Sequence, residues 1–126
     1  MSIKIYIDQG HNPENPNAGA EGNGLREQDL VYAIGQELAA LLRADPDFEV
    51  RLSRPTRDTQ LGTTNATSLA ARVNMANTWD ADYFISIHAN ASTNPIAAPA
   101  HVEYVRYSST TASRVAFSSS TVMPLT

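Results

Sequence analysis

Two histidines and a glutamate are the residues of this 126-residue chain whose types and placement can do chemistry. His11 follows an alternating segment, Ile3-Lys4-Ile5-Tyr6-Ile7, and His88 ends another, Tyr83-Phe84-Ile85-Ser86-Ile87. Glu27 stands at the start of an amphipathic run. Imidazole and carboxylate are zinc donors, and a His/Glu/His set leaves a fourth position open. Zinc so held lowers the pKa of water towards 7 and polarises a carbonyl. The chain has no cysteine, which excludes disulfides and thiolate ligands, so any Zn²⁺ must be held by His and carboxylate. The same three residues also have plain readings. A His after a strand is commonly a hydrogen-bonded surface residue, and a Glu in a first helical turn complements the macrodipole. Spacing alone leaves both open.

The elements that would position these groups follow from periodicity. Ile3 to Ile7 reads as a first strand, closed by Asp8-Gln9-Gly10-His11 and a Gly/Pro/Asn-rich loop from Asn12 to Gly24. Loops of that length in compact domains are commonly functional. Leu30, Ile34, Leu38 and Leu41, widened by Val31 and Leu42, predict a helix from about Arg26 to Arg43. Pro46 stops it. Phe48 to Leu52 alternates as a second strand, and Ser53 to Thr67 is a polar connection. A second helix is expected to start near Ser68, with Leu69, Ala70, Val73 and Ala76 on its apolar face and Met75 and Trp79 in the core. Tyr83 to His88 is a third strand, and Val102 to Tyr107 a fourth. Strand, helix, strand, helix, strand predicts an α/β domain with a mostly parallel sheet flanked by helices. His11 and His88 then fall at carboxyl ends of strands, the edge where such sheets bind ligands. Glu27 opens the helix at the same edge.

The bulk composition narrows the partners. A formal charge of −4 and a pI near 5.2 argue against nonspecific nucleic-acid binding, which needs a basic face. No apolar run approaches the roughly 20 residues of a membrane span. The Met1-Ser2-Ile3-Lys4 start lacks the pattern of a signal peptide, so action outside the cell would need a signal already removed or another export route.

Five segments resemble the zinc-dependent N-acetylmuramoyl-L-alanine amidases of the amidase type 3 family. They are Ile5-Tyr6-Ile7-Asp8-Gln9-Gly10-His11-Asn12-Pro13, Gly24-Leu25-Arg26-Glu27, Leu52-Ser53-Arg54-Pro55-Thr56-Arg57-Asp58, Leu69-Ala70-Ala71-Arg72-Val73-Asn74-Met75-Ala76-Asn77, and Ala81-Asp82-Tyr83-Phe84-Ile85-Ser86-Ile87-His88-Ala89-Asn90-Ala91. The resemblance implies that His11, Glu27 and His88 are the Zn²⁺ ligands. It also implies cleavage between the lactyl group of N-acetylmuramic acid and the L-alanine of the peptidoglycan stem peptide. The partner would be peptidoglycan, and the setting extracellular, cell wall or periplasm, reached by an autolysin or by a phage endolysin route. Arg54, Arg57 and Arg72 can contact stem-peptide carboxylates, or pair with acids such as Asp58 or Asp80. Asn90 can orient substrate by hydrogen bonding or serve a turn. His101 can replace Glu27 as a ligand or be a plain surface residue. Glu14 and Glu21 read as solvated rim.

Family members continue into further elements and a late glutamate that acts as general base or transition-state stabiliser. Beyond Asp82 this chain has one carboxylate side chain, Glu103, which falls where the family's fourth strand has a glutamate without that role. Glu103 is the one stand-in base the sequence offers. The expected organisation is an amidase-like α/β domain at 1–107, truncated at its C-terminal side, and a Ser/Thr-rich tail at 108–126. The expected behaviour is metal binding with impaired hydrolysis. A noncatalytic, metal-containing wall-binding module is the alternative, as is an incomplete sheet that oligomerises through its edge.

Overall fold

The computed structural model describes residues 2–22, 24–89, 100–106 and 121–123, the last two ranges as backbone strands. Strand β1 (Ile3–Gln9) leads into the loop that carries His11. A two-residue pair, β2 (Glu21–Gly22) and β3 (Leu25–Arg26), closes that loop and delivers helix α1 (Glu27–Arg43). Then come β4 (Phe48–Leu52), α2 (Asn65–Thr78), β5 (Tyr83–Ala89), β6 (Ala100–Arg106) and β7 (Thr121–Met123). The main sheet runs β4-β1-β5-β6-β7. β1 is parallel to both β4 and β5, while β6 and β7 extend the sheet in antiparallel fashion. The expected parallel α/β core is present. The segment read as tail contributes β7, paired to β6.

The sheet is apolar on two faces. Ile5, Ile7, Val50 and Ile87 bury against Val31 and Ala39 of α1. Each such side chain contributes roughly 1.5–3 kcal/mol when removed from water. The α1 stripe that packs there is Gln28, Val31, Gly35 and Ala39. Ile34, Leu38 and Leu42 flank it, and Leu41 is 74 % exposed, against the expectation that it faced the core. The stripe turns on Gly35, where a Cβ would stand 2.4 Å from Gln9 Cγ. A glycine there lets the helix close over the end of β1.

On the other face Tyr6 stacks on Phe84, with ring centroids 5.8 Å apart, beside Ala76, Ala81 and the half-buried Trp79. Here the sequence reading needs three corrections. α2 begins at Asn65 rather than near Ser68, because Thr64 and Thr67 form a reciprocal capping box. Its inward stripe is Ser68, Arg72 and Ala76, while Leu69 and Val73 are exposed. Met75 is exposed as well, not core. The helix is rotated so that Arg72 reaches a buried carboxylate, and that interaction sets the phase against the apolar pattern.

Candidate metal centre

β1 and β5 lie side by side, with Gln9 opposite Ile87, so His11, just past β1, and His88, near the end of β5, meet at one sheet edge. Gly10 N–H donates to the Ile87 carbonyl at 3.1 Å and continues the pairing beyond the strand. A Cβ on Gly10 would sit 2.5 Å from His88 Cε1, so glycine is what permits the two chains to approach. On the third side, β3 runs directly into α1, whose first residue is Glu27.

The sequence-predicted trio converges. His11 Nε2 is 3.1 Å from Glu27 Oε1, His88 Nδ1 is 3.3 Å from His11 Nε2, and His88 Nδ1 is 3.5 Å from Glu27 Oε1. Donors about 2.0–2.1 Å from a tetrahedral zinc are separated from each other by about 3.3–3.4 Å. The three atoms therefore form a triangle whose sides match one face of a zinc tetrahedron. The imidazole planes stand at 85° to one another, so two ring edges and a carboxylate point inwards without stacking.

Each donor is held from behind. His11 Nδ1–H donates to the Asn17 carbonyl at 3.3 Å, which leaves Nε2 with its lone pair free when the ring is neutral. Glu27 Oε1 accepts from Ala89 N–H at 2.9 Å, and Oε2 accepts from Ala20 N–H at 3.3 Å. Burial alone would push the Glu27 carboxyl up. Hydrogen bonds from His11, His88 and Ala89 outweigh it and hold the group well below the ordinary carboxylate range. The Glu27 hydrogen bond raises His11 above its ordinary value, against the opposing effect of burial. Each group thus favours the charged form of the other.

His11 has φ of 65°, a left-handed conformation that costs a non-glycine residue roughly 1–3 kcal/mol. Arg72 holds it there. Its Nη2 donates to the His11 carbonyl at 2.6 Å and to Asn12 Oδ1 at 3.1 Å. Its Nη1 donates to Asp8 Oδ1 at 2.8 Å and the Gln9 carbonyl at 2.6 Å. Asp8 Oδ2 accepts from Ser86 Oγ–H at 2.9 Å, which ties the network to β5. Arg72 is 1 % exposed, so it is a positioning residue and not the substrate contact the sequence allowed, nor is its partner Asp58 or Asp80. Arg54 is also fully buried. Its guanidinium donates to the carbonyls of Gly10, Gln28 and Arg57. Only Arg57 keeps its side chain largely in solvent, paired with Asp29 at 3.3 Å.

Periodicity missed this buried polar layer of Asp8, Gln9, Asn12, Gln28, Arg54 and Arg72. Its one sequence signal was an Asp and an Asn close on either side of His11. Glu14 and Glu21 sit on the rim, as expected, each paired with Arg26. Asn90 lies outside the described residues. His101 and Glu103 belong to β6, opposite His88 and Ser86 in register, and their side chains also lie outside the described residues.

Residues 5–122 match the family model for N-acetylmuramoyl-L-alanine amidase. The sporulation-specific N-acetylmuramoyl-L-alanine amidase of Bacillus subtilis is 39% identical over 89 residues, 71% of this chain and 32% of that protein. The endolysin of Bacillus phage SPP1 is 33% identical over 92 residues, 73% of this chain and 31% of that protein. Among solved structures, the N-acetylmuramoyl-L-alanine amidase of Clostridium difficile superposes with a TM-score of 0.64 at 32% identity, covering 78% of this chain and 49% of that one. The chain thus spans about a third of the length of these curated relatives and about half of the solved one.

Proposed function

Because this chain belongs to the N-acetylmuramoyl-L-alanine amidase family, we propose that His11, Glu27 and His88 hold one Zn²⁺ at which the lactyl–L-alanine amide of peptidoglycan is hydrolysed. The observation that carries the reading is the triangle of donor atoms, whose sides of 3.1, 3.3 and 3.5 Å suit a tetrahedral ion. When bound, zinc supplies carbonyl polarisation and an acidified water. The chain's own residues supply orientation. Asn17 fixes the His11 tautomer, Ala20 and Ala89 orient the Glu27 carboxylate, and Arg72 holds the His11 backbone. Asn90 directly follows β5 and is the proposed substrate contact. Work on peptidoglycan places the activity at the cell wall. Among the described residues no helix is long and apolar enough to cross a membrane.

Hydrolysis also needs a group that takes the proton of the attacking water and passes it to the leaving amine. The other carboxylates around this edge are engaged, Asp8 with Arg72 and Ser86, and Glu14, Glu21 and Asp29 with Arg26. Glu103 is the one carboxylate side chain beyond Asp82. A positioned acid–base group contributes roughly 10²- to 10⁴-fold. In this reading His11, Glu27 and His88 account for zinc binding, and the rate of hydrolysis depends on which group fills that acid–base role. Engagement of those carboxylates favours a second reading, a metal-containing module that binds wall without cleaving it.

Zinc content by elemental analysis, followed by release of L-alanyl amino termini from purified peptidoglycan with and without chelator, separates these. One zinc per chain with slow, chelator-sensitive release supports the amidase. Zinc with wall binding but no release supports the module. Absence of stoichiometric zinc refutes both.

A further inference from the structure

The face of the sheet away from α1 carries a second feature that the metal centre does not use. An open groove of about 680 Å³ lies between the β4 edge and the end of α2, lined by Lys4, Tyr6, Arg51, Asn74, Trp79 and Asp80 among others. Lys4 Nζ is 5.6 Å from the centre of the Trp79 ring, and the Arg51 guanidinium carbon is 4.7 Å from it. Neither cation has a carboxylate partner among the described residues. Lys4 Nζ–H donates to the Trp79 carbonyl at 3.2 Å, and Arg51 is exposed. Two cations are therefore gathered over one indole in a chain whose net charge is −4. The Tyr6 ring belongs to the same lining, and its hydroxyl is buried with no hydrogen-bond partner among the described residues.

We infer that this groove is an oxyanion-binding site for a small carboxylate- or phosphate-bearing ligand. Gathering two like charges costs Coulomb energy, which a bound anion reverses. The ring attracts each cation by roughly 0.5–1 kcal/mol at exposed positions, enough to hold them in place but not to neutralise them. A guanidinium presents a planar fork that carboxylate and phosphate oxygens both match. Asn74 and Thr78 add polar groups at the wall, and Met75 adds apolar surface for the body of the ligand. The volume falls in the roughly 300–1,000 Å³ range of small-molecule sites. Asp80 is the one carboxylate in the lining and opposes binding. The site is separate from the metal centre, because Tyr6 lies inside β1 and the extended stretch from it to Gln9 alone spans roughly 10 Å before the loop that carries His11. The inference stands whether or not the chain is an amidase.

Trp79 is the only tryptophan, so its fluorescence reports on this groove. The full chain is titrated with inorganic phosphate and separately with N-acetyl-D-alanyl-D-alanine, with chelator present and ionic strength held constant by chloride. A saturable fluorescence change with either ligand is expected, and which one saturates identifies the source of the oxyanion. Arg51→Gln and Lys4→Gln should each weaken binding by about tenfold, the loss of one charge-assisted contact. Asp80→Asn should tighten it severalfold, and Asn tolerates the φ of 57° at that position. No saturable change with either ligand, or a Kd untouched by all three replacements, overturns the inference.

Discussion

Replacing Arg72 by lysine separates the ion pair beneath the metal loop from the geometry it imposes. A lysine ammonium can still meet Asp8, but it is a point charge on a flexible stem and cannot serve both limbs of the guanidinium fork. The lost contacts are those of Nη2, at 2.6 Å to the His11 carbonyl and 3.1 Å to Asn12 Oδ1. Hydrogen bonds from charged groups contribute roughly 1.5–3 kcal/mol each. His11, at φ 65°, would then be free to relax by roughly 1–3 kcal/mol into a conformation that moves its ring. If about half of the two hydrogen bonds, roughly 1.5–3 kcal/mol, is lost from the placement of His11, zinc affinity falls by about 10- to 100-fold, the range typical of outer-shell partners. The assay is competition for zinc against a chromophoric chelator, paired with urea unfolding of the metal-free protein. Arg72→Lys should show weakened zinc binding and stability lowered by about 2–4 kcal/mol. Arg72→Met, which strands Asp8, should lose roughly 3–5 kcal/mol. A zinc Kd within about twofold of the parent for Arg72→Lys would refute the assignment of Arg72 as the residue that positions His11.

Three further outcomes follow from the same geometry. Gly10→Ala puts a methyl 2.5 Å from His88 Cε1 and 2.7 Å from the Ile87 carbonyl, so zinc binding should drop by at least about tenfold; an unchanged zinc Kd would show that the two loops can part without consequence. Gly35→Ala drives a methyl to 2.4 Å from Gln9 Cγ and should destabilise by about 1–3 kcal/mol in urea unfolding, despite alanine's better helix propensity; a stabilised variant would contradict the packing described. The third concerns pH in the metal-free protein. His11 is raised above 6.5 by its hydrogen bond to Glu27, so that pair stabilises the fold fully below the ordinary histidine value and the contribution disappears as pH rises through the raised one. Zinc requires the deprotonated ring, so the thermal stabilisation given by saturating zinc should grow from about pH 5.5 to about pH 8.5. A gain that stays flat over that range would show that His11 is not a ligand.

What could be read from the sequence, and what could not, divides along one physical line. Apolar alternation placed β1, β4 and β5, and the parallel order of those strands then brought His11 and His88 to one edge without any contact being known. The phase of α2 was not legible, because its inward stripe is Ser68, Arg72 and Ala76, and a hydrophobic pattern is blind to a buried serine and arginine. Leu69 and Val73 formed the more persuasive face and are exposed. Arg54 and Arg72 read as surface charges available to a substrate, since nothing in local sequence announces the backbone carbonyls that enclose them. The β2–β3 pair, two residues on each side, is too short for any period to register.

The buried polar layer also explains why a small domain tolerates charged groups where an apolar core would pack more simply. Of the proposed metal ligands only His88 lies within a strand, while His11 stands on a loop and Glu27 on a helix's first residue, and loop backbone has no ladder to hold it. Arg72 and Arg54 substitute for that ladder. Between them they bind the carbonyls of Gln9, Gly10, His11, Gln28 and Arg57, three of which belong to residues that are proposed ligands or adjoin one. Asn12 closes the loop by donating to the Pro16 and Leu61 carbonyls and accepting from Leu61 N–H. An apolar side chain in any of these places would leave buried carbonyls without donors, at roughly 1–3 kcal/mol apiece, and would release the left-handed turn at His11. The polar interior is therefore the part of the fold that converts two strand ends and a helix start into a metal centre, and its loss should be felt in zinc affinity before it is felt in the hydrophobic core.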